Sequence, residues 1–130
     1  MLFFFVAAIC TGTENRRTIL NVSSINRYTF LRKAYENCRQ IIGNLEIVYI
    51  NQNDIENDFL LQIEEKIQKQ QNNINLTLIN LQEQPPKPFD FLENLEEIYG
   101  YLLIYNVELD EISLPNLKII WGEKLMEENI

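Results

Sequence analysis

The sequence predicts a mainly β protein made of stacked coils, with one short N-terminal helix and one long polar insertion. A seven-residue pattern, Asn-[Cys/Leu]-x-x-Ile-x-Gly, starts at Asn37, Asn94 and Asn116. Repetition of a pattern within one chain indicates that one structural unit stacks on itself. The second and third copies lie 22 residues apart, which is the length of one solenoid coil. The first and second lie 57 apart, so about 35 residues are inserted between them.

The composition predicts one globular domain and excludes several classes of site. The chain has 130 residues, of which 46% are hydrophobic and 23% charged, with a formal net charge of −8. Such a charge argues against binding to nucleic acid or to an anionic membrane surface. The chain has no His and only two Cys. We therefore expect no Ser-His or Cys-His nucleophile, no metal site and no cofactor.

Residues 1–9 are almost wholly apolar and predict a truncated signal peptide. Val6 and Ala8 supply the small residues that a signal peptidase requires, so that cleavage would leave Ile9 at the new N-terminus. The alternative is a buried first strand. No other segment approaches the ~20 apolar residues that span a bilayer. We expect a soluble, extracellular mature chain with no membrane span.

The two cysteines and two sequons agree with secretion. In an oxidising compartment, Cys10 and Cys38 have only each other as partners, and closing this loop of about 29 residues would stabilise the fold by roughly 3–4 kcal/mol. The alternative is a pair of free buried thiols in a reducing compartment. Asn21-Val-Ser and Asn75-Leu-Thr are acceptor sequences for N-glycosylation.

A short helix is predicted before the first repeat. Ser23 and Ser24 are candidate N-caps, and the helix should end near Asn37. One apolar stripe runs along it, formed by Ile25, Tyr28, Leu31 and Tyr35.

Short β-branched runs predict the strands. They occupy residues 45–50, 102–105 and 118–121, each next to a repeat glycine. The Asn of each copy fits a corner, and the Gly permits positive φ or close approach of the next coil. We expect a core of Ile41, Leu45, Ile47, Ile98, Leu102, Ile104, Leu117 and Ile120.

The insertion, at about residues 51–90, differs in composition from the coils. It is rich in Gln, Asn, Glu and Lys, and Pro85, Pro86 and Pro88 stop any regular element. A polar helix could cover residues 63–69. We expect a solvated, mobile loop that can be shortened by deleting residues 62–87 without unfolding the coils. A dedicated binding loop is the alternative.

Several motifs together resemble the first L domain of the epidermal growth factor receptor family. They are Cys-Thr-Gly-Thr-Glu-Asn at residues 10–15, Tyr-Glu-Asn-Cys at 35–38, Gly-Asn-Leu-Glu-Ile at 43–47, and the stretches 100–104 and 114–122. The resemblance covers residues 10 to about 50 and about 90 to 129. Insulin-receptor-like L domains are the nearest cousins, but the Cys-x-Gly-Thr-x-Asn opening favours the epidermal growth factor receptor side.

This resemblance implies a right-handed parallel β-helix over residues 10–130, with the Cys10–Cys38 disulfide. In that family two L domains grip a growth-factor ligand, and a receptor partner chain is a further expected contact. Tyr49 and Glu127 keep residue types that fit ligand contact, whereas Arg17 and Asn106 replace apolar residues. Because the matched part stops at Ile130, we expect this chain alone to bind ligand weakly or not at all.

Three classes of function follow from these patterns. The first is a non-catalytic, ligand-binding ectodomain fragment of a growth-factor receptor tyrosine kinase, or a secreted decoy related to it. The second is a carbohydrate-active enzyme on a β-helix, for which the adjacent acids Glu64-Glu65, Glu96-Glu97 and Asp110-Glu111 are the candidates. Neighbouring residues on a strand point to opposite faces, so these pairs do not converge on one substrate. The third, a leucine-rich-repeat module, lacks its strand pattern here.

Overall fold

The computed structural model describes residues 8–13, 26–69 and 86–123, which form two parallel sheets and two α-helices. A 3₁₀ turn, Asp90–Leu92, follows the second helix. The elements in chain order are β1 Ile9–Thr11, α1 Arg27–Tyr35, β2 Gln40–Ile42, β3 Leu45–Asn51, α2 Gln52–Lys69, β4 Glu97–Ile98, β5 Leu102–Glu108 and β6 Ile119–Ile120.

The repeated pattern forms the four-stranded sheet, whose order is β1-β2-β4-β6. All three pairings are parallel, and equivalent positions of the three copies are paired: Ile41 with Ile98, and Ile98 with Ile120. On the opposite edge of β2, Ile41 is paired with Cys10 of β1. The repeats therefore stack in register, as the sequence predicts.

Strands β3 and β5 form a second sheet, and each strand follows one of the first two repeat glycines, Gly43 or Gly100. Strand β3 pairs in parallel with β5, from Leu45 opposite Leu102 to Asn51 opposite Glu108. Parallel strands of one sheet need a long connection between them, and the inserted residues between β3 and β5 provide it.

The glycines and Asn44 form the corner between the two sheets. The Gly100 N–H donates to the Gly43 carbonyl at 2.7 Å, and the Tyr101 N–H donates to Asn44 Oδ1 at 2.9 Å. A Cβ on Gly100 would lie 2.6 Å from the Gly43 oxygen, so only glycine allows this close approach. Gly43 and Gly122 have φ values of 115° and 68°. Both predicted uses of glycine are confirmed.

The core lies on the inner faces of the two sheets and under α1. Ile41, Leu45, Ile47 and Ile98 are fully buried, as predicted. Leu102 and Leu117 are only partly buried beside them. The prediction is wrong for Ile104 and Ile120, which are 44% and 46% exposed. They lie on β5 and β6, and no described strand covers the outer side of either one.

Helix α1 buries the predicted stripe from Tyr28 onward but begins later than expected, and Ile25 of that stripe lies outside the described residues. Tyr28, Leu31 and Tyr35 are 3–4% exposed. The cap is Asn26, whose side-chain oxygen accepts from the Tyr28 N–H at 2.8 Å. The predicted caps, Ser23 and Ser24, lie outside the described residues.

Helix α2 corrects the expectation of a solvated loop after β3. It extends from Gln52, well before the predicted polar helix, and buries Ile55, Asp58 and Ile63. Its packing against α1 leaves an open, largely apolar groove of about 770 Å³, lined among others by Phe30 and Leu60. Deleting residues 62–87 would remove a buried part of this helix, so we now expect such a deletion to destabilise the protein.

The disulfide predicted between Cys10 and Cys38 is present, with a Cα–Cα distance of 6.1 Å. It joins β1 to the segment between α1 and β2. Ile9, at the boundary of the predicted signal peptide, is the first residue of β1. In the part of the chain that the structure describes, no helix is long and apolar enough to cross a bilayer.

Candidate ligand-binding face

Of the site residues predicted from sequence, the structure describes the two cysteines and Tyr49. Glu127, Arg17 and the sequon residues Asn21 and Asn75 lie outside the described ranges. Asn106, the replacement noted in the sequence, is described and lies directly beside Tyr49. The candidate face is therefore built around Tyr49 on the two-stranded sheet.

The regular pairing of β3 with β5 is interrupted at Tyr49 and Asn106, which lie at equivalent positions of the two strands. Val48 is paired with Tyr105 and Ile50 with Val107, so Tyr49 and Asn106 lie opposite each other. Both have left-handed backbone conformations, with φ values of 55° and 52°. Non-glycine residues rarely adopt this region, and a bulky one does so at a cost of order 1–3 kcal/mol. The matched interruptions leave Tyr49 45% exposed while Ile50, the next residue, remains buried.

Two exposed tyrosines and the half-buried Arg27 meet at this point. The rings of Tyr49 and Tyr105 meet edge to face, with centroids 5.6 Å apart. The Arg27 Cζ atom lies 5.5 Å from the Tyr49 ring centroid, within the range of a cation–π interaction. We call Arg27, Tyr49, Tyr105 and Asn106 the Tyr49 face. Aromatic and Arg side chains of this kind are enriched in protein–protein contacts.

A small open pocket of about 160 Å³ adjoins the face. Tyr49, Ile50, Asn51, Asn106 and Glu108 line it. The pocket is too small for a drug-sized ligand, since such sites measure roughly 300–1,000 Å³. It can accept one side chain of a protein partner.

A second exposed aromatic pair lies on the four-stranded sheet. Tyr99 and Trp121 stack nearly parallel, with centroids 6.1 Å apart, and Trp121 Nε1 donates to Glu97 Oε1 at 3.1 Å. Sequence reasoning missed this surface. The repeated pattern indicates this surface, because the position just before each repeat glycine points outward. That position is occupied by Ile42, Tyr99 and Trp121 in the three copies.

Three of the adjacent acids considered for an enzyme, Glu65, Glu96 and Glu97, are bound to local partners. Glu96 bonds Arg39 and Lys118, and Arg39 holds the pKa of the Glu96 carboxyl below its usual range. Glu97 accepts from Gln40 Nε2 at 2.8 Å, in addition to Trp121. Glu65 pairs with Lys33 at 3.4 Å. Among the described residues no group of acidic or Cys side chains could hold a metal ion.

The receptor L domain family model matches residues 37–130, which is more than half of the chain. The chain belongs to the receptor L domain family. The match begins at Asn37, the first residue of the repeated pattern, and includes the Tyr49 face apart from Arg27.

The proteins that this chain resembles in sequence include receptor tyrosine kinases. The chain is 30% identical over 121 residues to the receptor tyrosine-protein kinase erbB-4 of Mus musculus, and 28% identical over 121 residues to the melanoma receptor tyrosine-protein kinase of Xiphophorus maculatus. It is 27% identical over 127 residues to the epidermal growth factor receptor of Drosophila melanogaster. These alignments cover 93–98% of this chain but only 7% of each relative. The L domain thus resembles a small, non-catalytic part of those receptors.

Proposed function

We propose that this chain is an extracellular L domain of a growth-factor receptor tyrosine kinase, and that it binds an epidermal-growth-factor-like protein through the Tyr49 face. The observation that carries the proposal is the exposed Tyr49–Tyr105 pair, held by matched left-handed residues on two paired strands. Tyrosine supplies a large contact area at a low cost in side-chain entropy, and it is common among the residues that dominate interface energies.

The geometry also supports a protein ligand over a small molecule. The face is open, and the adjoining pocket holds about one side chain. Stacked coils with equivalent outward positions present a broad surface, which suits an extended protein contact. We propose that the two sheets belong to a right-handed parallel β-helix, since the repeats pair in register without a crossover helix between β4 and β6.

The disulfide supports an extracellular location, because such bonds persist in oxidising compartments. With this location we propose that the apolar segment at residues 1–9 contains a truncated signal peptide, cleaved so that Ile9 becomes the N-terminus, and that Asn21 and Asn75 carry N-glycans. We also propose that Glu127 contributes to the same ligand contact as Tyr49. These proposals rest on the sequence patterns and on the family relationship.

The test is a binding titration of the secreted chain with epidermal growth factor as the probe. Fusing the chain to a dimeric Fc region makes weak binding measurable, because two linked domains raise the effective concentration. We expect saturable binding by surface plasmon resonance with a monovalent Kd above about 1 μM. Replacing Tyr49 by Ala should weaken it at least about tenfold, because truncating a central aromatic contact removes on the order of 2 kcal/mol.

Trp121→Ala is the matched control, since it removes an exposed aromatic ring from the other sheet. It should leave the affinity unchanged. The proposal is wrong if neither epidermal growth factor nor a panel of related growth factors binds the folded, disulfide-bonded chain. It is also wrong if Trp121→Ala weakens binding as much as Tyr49→Ala does.

A further inference from the structure

Arg27 differs from the other described arginines in having no carboxylate partner among the described residues. Arg32 pairs with Asp58 at 2.8 Å, and Arg39 pairs with Glu96 at 2.9 Å. Within the described residues, the guanidinium of Arg27 makes only its contact with the Tyr49 ring. Its Nε atom is buried and has no hydrogen-bond acceptor. A buried donor without an acceptor costs about 1–3 kcal/mol, and more for a charged group.

The position of Arg27 in its helix adds to this cost. It is the first residue of α1, and the first turn of this helix contains no acidic residue. The N-terminus of a helix carries a partial positive charge, so a cation there is unfavourable by about 0.3–1 kcal/mol. A cation–π contact at an exposed ring offsets only about 0.5–1 kcal/mol. The Arg27 cation is thus incompletely satisfied by the residues that the structure describes.

We propose that Arg27 is a specificity-determining residue that binds a carboxylate of the protein ligand. The guanidinium would take an Asp or Glu side chain of the ligand, while an apolar neighbour of that acid packs on the Tyr49 and Tyr105 rings. A planar guanidinium can bind both oxygens of a carboxylate, and such charge-assisted bonds are about twice as strong as neutral ones. This inference rests on the proposed function, because it names the chemistry of the same ligand.

The charge of the whole chain makes the inference specific. At a net charge of −8, the general field of the protein repels an acidic ligand. Glu108, which lines the pocket beside Tyr49, also disfavours an acid on its side of the ring. Any preference for an acidic group at this face must therefore come from a local cation, and Arg27 is the cation in contact with Tyr49.

The experiment uses two small probes that differ only in charge: acetyl-Leu-Glu-amide and acetyl-Leu-Gln-amide. Each is titrated into the ¹⁵N-labelled chain while the Arg Nε–H signals are followed by NMR. We expect the acidic probe to bind at least about threefold more tightly than the amide probe and to shift the Arg27 Nε–H signal. In the Arg27→Gln variant the preference should disappear.

Arg39→Gln is the matched control, because it changes the net charge equally but lies beside the four-stranded sheet and pairs with Glu96. It should retain the preference. Equal binding of both probes, absence of binding, or a preference that survives in Arg27→Gln would overturn the inference. So would loss of the preference in Arg39→Gln.

The titration with epidermal growth factor separates this inference from the proposed function. If that growth factor binds in a Tyr49-dependent manner but the dipeptides show no acid preference, the role of Arg27 is wrong and the function stands. If the acid preference is found but no growth factor binds, the proposed ligand class is wrong while the chemistry of Arg27 stands.

Discussion

The repeated strands and helix α2 are held in the protein by different interactions. Strands β2, β4 and β6 pair through regular parallel ladders, and their inner residues Ile41 and Ile98 are fully buried. Helix α2 is largely polar on its outside, and only Ile55, Asp58 and Ile63 are buried. Apolar stacking in register holds the first region, whereas a few specific side-chain contacts hold the second.

One buried ion pair joins α2 to α1. The Asp58 carboxylate accepts from Arg32 Nε at 2.8 Å, from the Thr29 hydroxyl at 2.8 Å and from Gln62 Nε2 at 2.9 Å. The hydrogen bond and charge of Asp58 raise the pKa of the Arg32 guanidinium, so Arg32 remains ionised at neutral pH. The difference between the two regions shows that an inserted helix can pack on the domain through one polar network, although its composition predicts solvent exposure.

The largest expected effect comes from breaking this network. Asp58→Ala should lower the free energy of unfolding by about 3–5 kcal/mol, because it leaves the Arg32 charge buried without its partner. Urea unfolding followed by circular dichroism measures the change. Glu65→Ala is the control, since it breaks the exposed Lys33–Glu65 pair and should cost less than about 1 kcal/mol. A similar small loss for both variants would mean that the network does not anchor α2.

The next largest effect compares the loss of stability at a buried residue of β3 with the loss at the paired, exposed residue of β5. Ile47 on β3 and Ile104 on β5 are paired in register, but Ile47 is fully buried and Ile104 is 44% exposed. Ile47→Ala should cost about 2–5 kcal/mol, whereas Ile104→Ala should cost less than about 1 kcal/mol because little buried contact is lost. Equilibrium unfolding of the two variants makes the comparison. Equal losses would show that β5 is covered on its outer side in solution.

The strands were predictable from the sequence because their pattern is local and occurs three times. The positions of Asn37, Asn94 and Asn116 predict the register from the sequence alone. The inner faces were predicted correctly where another strand covers them, as for Ile41 and Ile98. For Ile104 and Ile120 the pattern was the same, but burial depends on a neighbouring strand, which a residue's own sequence does not specify.

The docking of α2 could not be predicted in this way. Its key contact joins Asp58 to Arg32, which lies 26 residues earlier on another helix. An Asp on a polar helix is ordinarily solvated, so its sequence context indicated exposure. In the candidate site, Tyr49 was identified only through the family resemblance. Arg27 and Tyr105 were missed because their proximity to Tyr49 depends on how α1 and β5 pack.

The smallest effect concerns the point where the chain returns from the insertion to the repeats. The Phe89 N–H donates to the Tyr28 hydroxyl at 2.9 Å, and the rings of Phe89 and Phe91 both pack edge to face against the Tyr28 ring. Tyr28→Phe should cost about 1–3 kcal/mol near neutral pH, because it leaves the buried Phe89 N–H without an acceptor. Urea unfolding at pH 7 measures this loss.

The pH dependence of the same variant provides a sharper test. Burial raises the pKa of Tyr28 from 10.0 to about 12 in the folded protein. A raised pKa means that the folded state holds this proton more tightly, so stability is fully present below pH 10 and falls as the pH rises toward 12. Between pH 9 and pH 11 the wild-type chain should therefore lose on the order of 1 kcal/mol more than Tyr28→Phe. Burial also raises the pKa of Tyr35, so the variant should retain part of the alkaline loss. Identical losses in both proteins would show that the Tyr28 hydroxyl is accessible to water, and that the return segment is not packed on α1 as described.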